Sequence, residues 1–300
     1  MKKCNIILLY ILLLLSGCQS QQQAQQQQNI TVVASFYPVY ILAKNITDGV
    51  EGVTLENMAQ PQTGCLHDYQ LTTKDRKALE KADLLLINGA GMESFLEGVK
   101  RQYVNLPIVD TSIGAELLCT EHHHHHDEQE EQEQYNGHIW LSTENAVIQA
   151  KNICYALCEK DNKNKQQYMN NLEHFCKQIE AFQKEQCTVA EGQNVIVFHE
   201  GFDYIEKEYG FTICGELLVE EEKTPSAKEL AKIIDNAKQQ NIKLFFAADE
   251  EGEKYARLIA KEVEGKVYLF NSITTGELNK NAYIDAIKQN KQVIQEAVCQ

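Results

Sequence analysis

The stretch TTKDRKALEKADLLLINGAG, Thr72 to Gly91, predicts the fold class of the whole chain. Thr73 or Asp75 can cap a helix whose apolar residues recur at helical spacing. The run LLLIN, Leu84 to Asn88, then predicts a strand that is buried on both faces, as the strands of parallel sheets are. Because helices and buried strands alternate in this way, we predict a parallel sheet covered by helices.

Strand and helix patterns alternate on both sides of a long helical region. Before it, Ile30 to Ser35 predicts a strand that leads into a helix, and LPIVDTS, residues 106–112, predicts another strand. After it come four predicted strands with helical segments between them, NVIVFH, TICGELLV, IKLFFAA and KVYLFNS. The fold class that we predict is therefore α/β, with two lobes built on mainly parallel sheets.

The helical region between the lobes has two parts. The first runs from Glu144 to about Glu159, the polar segment KDNKNK interrupts it, and the second continues to about Glu185. In the second part an apolar residue recurs every three or four positions, at Tyr168, Leu172, Phe175, Ile179 and Phe182. One continuous apolar stripe predicts one continuous helix. This helix is long enough to join two lobes. We expect it to be a rigid link.

The first residues predict export and anchoring. Lys2 and Lys3 precede an apolar run, Ile6 to Leu15, whose ten residues suit a signal peptide and are too few to span a bilayer. The segment LSGC that follows resembles the lipobox of bacterial lipoproteins. That resemblance implies cleavage before Cys18 and lipidation of this cysteine. A polar, glutamine-rich segment comes next and predicts a flexible tether.

These patterns predict how the chain is divided. A lipid at the end of a soft tether keeps the folded part in water just outside the membrane. The expected segments are a signal peptide at 1–17, a lipidated tether at 18–29, an N-terminal lobe at 30–160 with an acidic histidine-rich loop at 119–137, a linker helix at 161–187 and a C-terminal lobe at 188–300.

The charge balance excludes some partners. The chain has 43 acidic and 28 basic residues, which gives a formal net charge of −15. Nucleic acid and anionic lipid both require basic patches, so we expect neither as the main partner. The acidic composition is compatible with a cationic ligand.

The cysteines indicate no compact disulfide framework, although an exported chain permits disulfides. Cys154 and Cys158 are four residues apart on a predicted helix. This spacing suggests either a metal-binding pair or ordinary packing. We favour packing, because no second cysteine pair lies nearby in the sequence.

The histidines fall into a run and four single positions. The run consists of five consecutive residues, His122, His123, His124, His125 and His126. Among the other four, His174 falls on the expected polar side of the long helix, so we leave it out. His67, His138 and His199 fall where strands or loops end. In open α/β sheets, ligands bind beyond the carboxyl ends of the strands, so these three histidines are candidates for a shared metal site.

Four segments resemble, in order and at compatible spacing, the zinc- and manganese-binding proteins of bacterial ABC importers. They are HDYQLTTKDRKALEKADLLLINGAGMESFL, GHIWLS, VFHEGFDYIEKEYGF and TPSAKELAKII. The likeness covers nearly the whole mature chain. It implies two α/β lobes joined by one long helix, with the metal ion held in the cleft between them. It also implies that His67 and His138 bind the metal from the N-terminal lobe and His199 from the C-terminal lobe.

The chain departs from the family pattern at the fourth coordination position. Asn271 stands where manganese- and iron-preferring members place an aspartate, Ala248 where many members carry glutamate, and Leu66 where some zinc-binding members carry glutamate. The fourth ligand is left open between water, a loop carboxylate, Asn271, Asp249 and Cys65. Three imidazoles without an assured carboxylate favour Zn²⁺ over Mn²⁺, because manganese prefers oxygen-rich, six-coordinate sites. Copper or nickel could bind as tightly in vitro.

The resemblance implies a lipid-anchored receptor that captures zinc outside the cell and delivers it to a membrane permease driven by an ATPase. We expect a monomer without enzymatic activity. The histidine run, His122 to His126, either captures or passes on auxiliary metal, or is a solvated polar loop. Two rival functions are a three-histidine zinc hydrolase with Glu200 as general base and a surface adhesin. Neither is favoured, because Glu200 and the adjacent His199 should point apart, and nothing in the residues indicates a host-binding surface.

Overall fold

A computed structural model describes residues 29–59, 66, 69–119, 135–185, 192–218 and 224–298. The expected signal peptide and Cys18 lie outside these residues, and so do Cys65 and His67. The whole histidine run also lies outside them, that is His122, His123, His124, His125 and His126. What the sequence predicts for these residues, including the auxiliary metal loop, stays a prediction.

The first lobe is built on a four-stranded parallel sheet, as predicted. Its strands are β1 (Ile30–Ala34), β2 (Val53–Asn57), β3 (Leu84–Ile87) and β4 (Ile108–Asp110). The strand order is β2-β1-β3-β4, and every neighbouring pair is parallel. Strand β2 was missed, because it is a partly exposed edge strand that carries Glu56 and lacks the apolar run of the central strands.

The second sheet repeats the strand order of the first. Its strands are β5 (Asn194–Val197), β6 (Thr212–Glu216), β7 (Leu244–Ala247) and β8 (Lys266–Leu269). They are arranged as β6-β5-β7-β8 and are all parallel. In each sheet the strand order reverses between the two central strands, β1 and β3 or β5 and β7. Ligands of open α/β sheets bind at the carboxyl edge beside this reversal point.

Helices follow most of the strands and cover both sheets. In chain order they are α1 (Tyr37–Thr47), α2 (Thr73–Lys81), α3 (Leu96–Gln102), α4 (Thr143–Lys160), α5 (Lys165–Lys184), α6 (Phe202–Tyr209), α7 (Ala227–Gln239), α8 (Glu250–Val263) and α9 (Ala282–Val298). A short 3-10 turn, Ile139–Leu141, precedes α4. The helices α4 and α5 pack against each other and lead from the first sheet towards the second.

Helix α2 begins with a reciprocal capping box. The hydroxyl of Thr72 accepts a hydrogen bond from Asp75 N at 3.3 Å, and the Asp75 carboxylate accepts one from Thr72 N at 2.7 Å. The predicted cap at Thr73 or Asp75 is therefore wrong. The cap is Thr72, and Asp75 is its partner three residues on. The hydroxyl of Tyr69 also donates to Asp75, at 2.6 Å, which ties the preceding loop to the start of the helix.

The apolar stripe predicted on the long helix is confirmed. Helix α5 packs on α1 and α4, and its buried residues are Tyr168, Leu172, Phe175, Ile179 and Phe182. His174 is exposed, as expected. From the end of the chain, Tyr283 on α9 meets Phe175 with ring centroids 5.8 Å apart. The long helix thus contacts elements from both halves of the chain.

A buried carboxylate ties the carboxyl ends of β1 and β3 together. Glu93 accepts a hydrogen bond from Ser35 Oγ at 2.8 Å. It also accepts from the backbone N–H groups of Asn88 at 2.6 Å and Gly89 at 3.1 Å. Ser35 follows β1 and Asn88 follows β3, so one side chain spans the reversal point of the first sheet. Burial raises the pKa of Glu93 to about 7, although these hydrogen bonds favour the charged form.

Replacement of Glu93 by glutamine is expected to remove a pH dependence of stability. Because the folded pKa of about 7 exceeds the ordinary value of 4.5, the folded chain keeps a proton that the unfolded chain loses between these pH values. This group therefore lowers the free energy of unfolding as the pH rises from 4.5 to 7. By the linkage relation the decrease is about 3 kcal/mol. Urea unfolding at several pH values measures it.

The matched control is Glu97→Gln, because Glu97 is an exposed carboxylate on the neighbouring helix α3. Its variant should keep the pH slope of the natural chain. If the natural chain and Glu93→Gln show the same slope between pH 4.5 and 7, the buried carboxylate does not titrate as described.

Candidate metal centre

His138 lies at the reversal point of the first sheet. It is 2% exposed and directly precedes the turn Ile139–Leu141. The loop that carries it is held by Asn88, whose Nδ2 donates to Gly137 O at 2.9 Å. A Cβ at position 137 would lie 2.9 Å from Met92 Cε and 3.3 Å from Ala90 O, so the loop packs closely against this part of the first lobe. The buried network around Glu93 therefore also places the loop of His138.

His199 lies at the corresponding edge of the second sheet. It comes two residues after the last residue of β5, one of the central strands. Its Nδ1 accepts a hydrogen bond from Gly201 N at 2.9 Å. A Cβ at Gly201 would lie 2.4 Å from Leu141 Cδ1, so glycine here allows the two lobes to approach closely.

The rings of His138 and His199 contact each other. Their centroids are 4.8 Å apart and their planes are inclined by 72°. The two residues come from different sheets and are distant in sequence, so only the packing of the two lobes brings them together. The structure thus places two of the three histidines singled out from the sequence at one point, on the seam between the lobes.

Asn136 sets the tautomer of the His138 ring. Its Nδ2 donates to Glu200 O at 2.8 Å and to Asp203 Oδ2 at 3.0 Å, and both partners are acceptors. The amide orientation is therefore defined, and Oδ1 is the atom that lies 2.9 Å from Nδ1 of His138. An amide oxygen only accepts, so the ring proton of neutral His138 lies on Nδ1 and the lone pair on Nε2. Such hydrogen bonds orient metal-binding histidines in other proteins.

Asn136 also connects the two lobes. Its side chain reaches Glu200 and Asp203, which lie just after β5, and its carbonyl oxygen accepts from Tyr204 Oη at 2.8 Å. Asn136 was missed in the sequence. The signal that could have identified it is an Asn two residues before a candidate histidine, since Asn side chains often hydrogen-bond to nearby backbone N–H groups. Here Oδ1 also accepts from His138 N, at 3.1 Å.

Trp140 covers the histidine pair and crosses the seam. Its side chain is fully buried, with the ring centroid 5.1 Å from that of His138 and 5.2 Å from that of Phe36. Its Nε1 donates to Ser272 O at 2.9 Å, and its carbonyl oxygen accepts from Tyr283 Oη at 2.9 Å. Both partners follow β8, so the turn after His138 is bonded to the second lobe.

Acidic side chains of the second lobe lie close to His138. The Glu200 carboxylate lies 3.9 Å from Nδ1 of His138, and its side chain is 28% exposed. A cation at the seam would therefore meet negative potential.

Two of the residues left open as fourth ligand are engaged in local structure. Oδ1 of Asn271 accepts from Ile273 N at 2.8 Å, and its Nδ2 donates to Gln289 Oε1 at 3.1 Å. Asp249 caps α8 and accepts from Gly252 N at 2.6 Å. These bonds fix the orientation of both side chains within the second lobe. Cys65 lies outside the described residues.

The chain on both sides of the predicted third histidine is anchored near this site. Leu66 is fully buried, and its carbonyl oxygen accepts from Ser94 Oγ at 3.2 Å. The same hydroxyl lies 3.5 Å from Tyr69 O. Ser94 directly follows Glu93, which spans the reversal point. In the described ranges, no group of three or more His, Cys, Asp or Glu side chains could hold a metal ion, and His67 lies outside them.

The structure has two α/β lobes, each built on a parallel sheet, and a histidine pair at the seam between them. These features define the class of two-lobed metal-binding proteins. The chain belongs to the ZnuA family. The model of this family, described as zinc-uptake complex component A, periplasmic, matches residues 32–297. The resemblance found in the sequence and the fold class predicted from it are both confirmed.

Individual relatives bind different metals according to their names. The high-affinity zinc uptake system protein ZnuA of Bacillus subtilis is 30% identical over 282 residues, 89% of this chain and 87% of the relative. The manganese ABC transporter substrate-binding lipoprotein PsaA of Streptococcus mitis is 24% identical over 250 residues, 77% of this chain and 78% of the relative. A crystal structure of ZnuA superposes with a TM-score of 0.74 at 26% identity, covering 90% of this chain and 99% of that one.

The tautomer of His138 is open to direct measurement. Long-range ¹H–¹⁵N NMR spectra, recorded where the ring is neutral, are expected to show the proton of His138 on Nδ1. In Asn136→Ala the accepting oxygen is lost, so the ring should populate both tautomers. Asn152→Ala is the control, because the Asn152 amide donates to Thr111 O and Ile113 O instead. A proton on Nε2 of His138 in the natural chain would refute the assignment.

Proposed function

We propose that the chain is the extracytoplasmic zinc receptor of an ABC importer. The observation that carries the proposal is the contact between His138 and His199, which are supplied by separate lobes with centroids 4.8 Å apart. Burial, a defined tautomer on His138 and nearby carboxylates give these rings the surroundings of a cation site. Family membership and the names of the relatives support a metal as the ligand.

For the third ligand we propose His67. The Ser94 hydroxyl contacts the backbone on both sides of it, at Leu66 and Tyr69. In the sequence His67 directly follows Leu66, and the family resemblance assigns the first ligand to this histidine. Ser94 is adjacent to Glu93, whose network also holds the loop of His138. Three imidazoles from three segments would then converge on one ion.

For the fourth position we propose a water molecule or a loop carboxylate. Glu200 lies 3.9 Å from Nδ1 of His138, the nitrogen that would not bind the ion, and adds negative charge beside the site. The residues left open earlier, Asn271 and Asp249, are hydrogen-bonded to the backbone within the second lobe. A site of three histidines and one carboxylate or water satisfies the tetrahedral preference of zinc, whereas manganese prefers more oxygen ligands. We therefore propose zinc over manganese.

The two described ligands would not bind zinc equally well. His138 has its lone pair on Nε2 and can coordinate without a change of tautomer. Nδ1 of His199 accepts from Gly201 N, which in the neutral ring places the proton on Nε2. Coordination through either nitrogen of His199 therefore requires this contact to break or the proton to move. We propose that His199 is the ligand released first when docking onto the permease moves the second lobe.

The remaining parts of the role are proposals that rest on the sequence and the relatives. Cys18 would carry a lipid anchor, as the lipoprotein name of the manganese relative suggests for that protein. A permease and an ATPase would accept the zinc, and the chain would act as a monomer. Within the described residues no helix is both long and apolar enough to cross a membrane. The histidine run, His122 to His126, would be an auxiliary metal-capturing loop. We propose no enzymatic role, because the family is one of uptake components.

A zinc titration of the chain lacking residues 121–134 tests the proposal. One tight site is expected to survive, because the histidine run is not part of the high-affinity site. His138→Ala and His199→Ala in this background should each weaken binding by at least about 100-fold, since each removes an inner ligand. A competing titration with Mn²⁺ should show weaker binding to the same site.

The matched control is His174→Ala, which removes an exposed histidine from α5 and should leave the affinity unchanged. Loss of all tight binding on deletion of residues 121–134 would assign the site to the loop and overturn the proposal. So would unchanged affinity in His138→Ala.

A further inference from the structure

A cluster of sulfur atoms lies between the helices α4 and α5. Cys154 and Cys158 are both buried on α4, with their Sγ atoms 4.0 Å apart. Met169 on α5 places its Sδ 3.7 Å from Cys154 Sγ. The structure thus supplies a third sulfur that the sequence spacing did not reveal.

The spacing of these sulfurs matches that of ligands on a common ion. Metal–sulfur bonds are about 2.3 Å long. Two sulfurs bound to one ion at angles of about 110 to 120° are then about 3.8 to 4.0 Å apart. The separations of Cys154 Sγ from Cys158 Sγ, 4.0 Å, and from Met169 Sδ, 3.7 Å, agree with this. The four-residue spacing of the two cysteines on one helix maintains the first separation.

The cluster is closed on one side and accessible on the other. Cys154 is fully buried, whereas Met169 is 36% exposed and forms the boundary with solvent. Cys158 donates to Lys165 O at 3.8 Å, so its thiol is held in place by backbone. An ion would enter past the thioether and meet the two thiols behind it.

We propose that Cys154, Cys158 and Met169 form a binding site for a soft monovalent d¹⁰ ion, Cu⁺ or its analogue Ag⁺. Thiolate and thioether ligands select such ions, and a set of three sulfurs lacks the fourth nitrogen or sulfur ligand of a structural zinc site. On binding, two sulfur–metal bonds form to the cysteines, and their two protons pass to water. The thioether coordinates without losing a proton, and no electron is transferred.

The proposal is independent of the zinc site. It concerns the interface of two helices, not the seam between the lobes, and it uses none of the histidines. Burial and the neighbouring thiols of Cys158 and Cys176 raise the pKa of Cys154 to about 12, so the ion must displace a proton from a group that is neutral at physiological pH. Binding should therefore strengthen as the pH rises.

Anaerobic titration of the full chain with Cu⁺ against a chromogenic Cu⁺ chelator tests the site. The natural chain is expected to bind one ion more tightly than the double variant Cys154→Ser, Cys158→Ser by at least about 100-fold, the loss expected when two thiolates are removed. Met169→Leu keeps the shape of the side chain and should weaken binding by about tenfold. Cys214→Ser, which alters a half-buried thiol on β6, is the control and should bind as the natural chain does.

Copper-edge X-ray absorption supplies a measurement that does not depend on variants. The expected first shell contains only sulfur, at about 2.3 Å. A shell of nitrogen would show that the copper is held by histidines and would overturn the proposal. Equal affinities for the natural chain, Met169→Leu and the double variant would do the same. Circular dichroism of each variant shows whether it is folded, and a thiol count shows that the cysteines are reduced.

Discussion

The contact between the rings of His138 and His199 is the point on which the site depends. Each ring belongs to a different sheet, so the pair exists only while the two lobes are packed together. Asn136 strengthens this dependence. Its amide oxygen accepts from Nδ1 of His138, and its amide nitrogen donates to Glu200 and Asp203, which follow β5. A change in the separation of the lobes would thus alter both the distance between the two rings and the hydrogen bond that sets the tautomer of one of them.

The parallel sheets explain why these residues meet. Both sheets have the same strand order, and both reverse that order between their central strands. Glu93 bridges the reversal point of the first sheet and supports Asn88, which holds the loop before His138. In the second sheet His199 comes two residues after the end of β5. Each histidine therefore lies where an open parallel sheet presents the ends of its strands. Trp140 bonds the turn after His138 to the second lobe.

Local patterns in the sequence were sufficient for most of the fold. Buried runs such as Leu84–Ile87 and the apolar stripe on α5 arise from burial periodicity, which neighbouring residues alone reveal. Strand β2 was missed because its edge position leaves it half exposed. The candidate histidines came from their place after strands and from a family resemblance. The bridge that Asn136 forms to Glu200 and Asp203, and the place of Met169 beside Cys154, could not be predicted, because they depend on contacts between residues that are distant along the chain.

Zinc-edge anomalous diffraction from crystals of the zinc-loaded chain is the most direct measurement of where the ion binds. The expected result is one strong peak at the seam of the lobes, about 2.0 to 2.1 Å from a ring nitrogen of His138 and of His199, with His67 as the third nitrogen ligand. A strong peak elsewhere, with the two rings in contact but not bound to zinc, would contradict the proposed site.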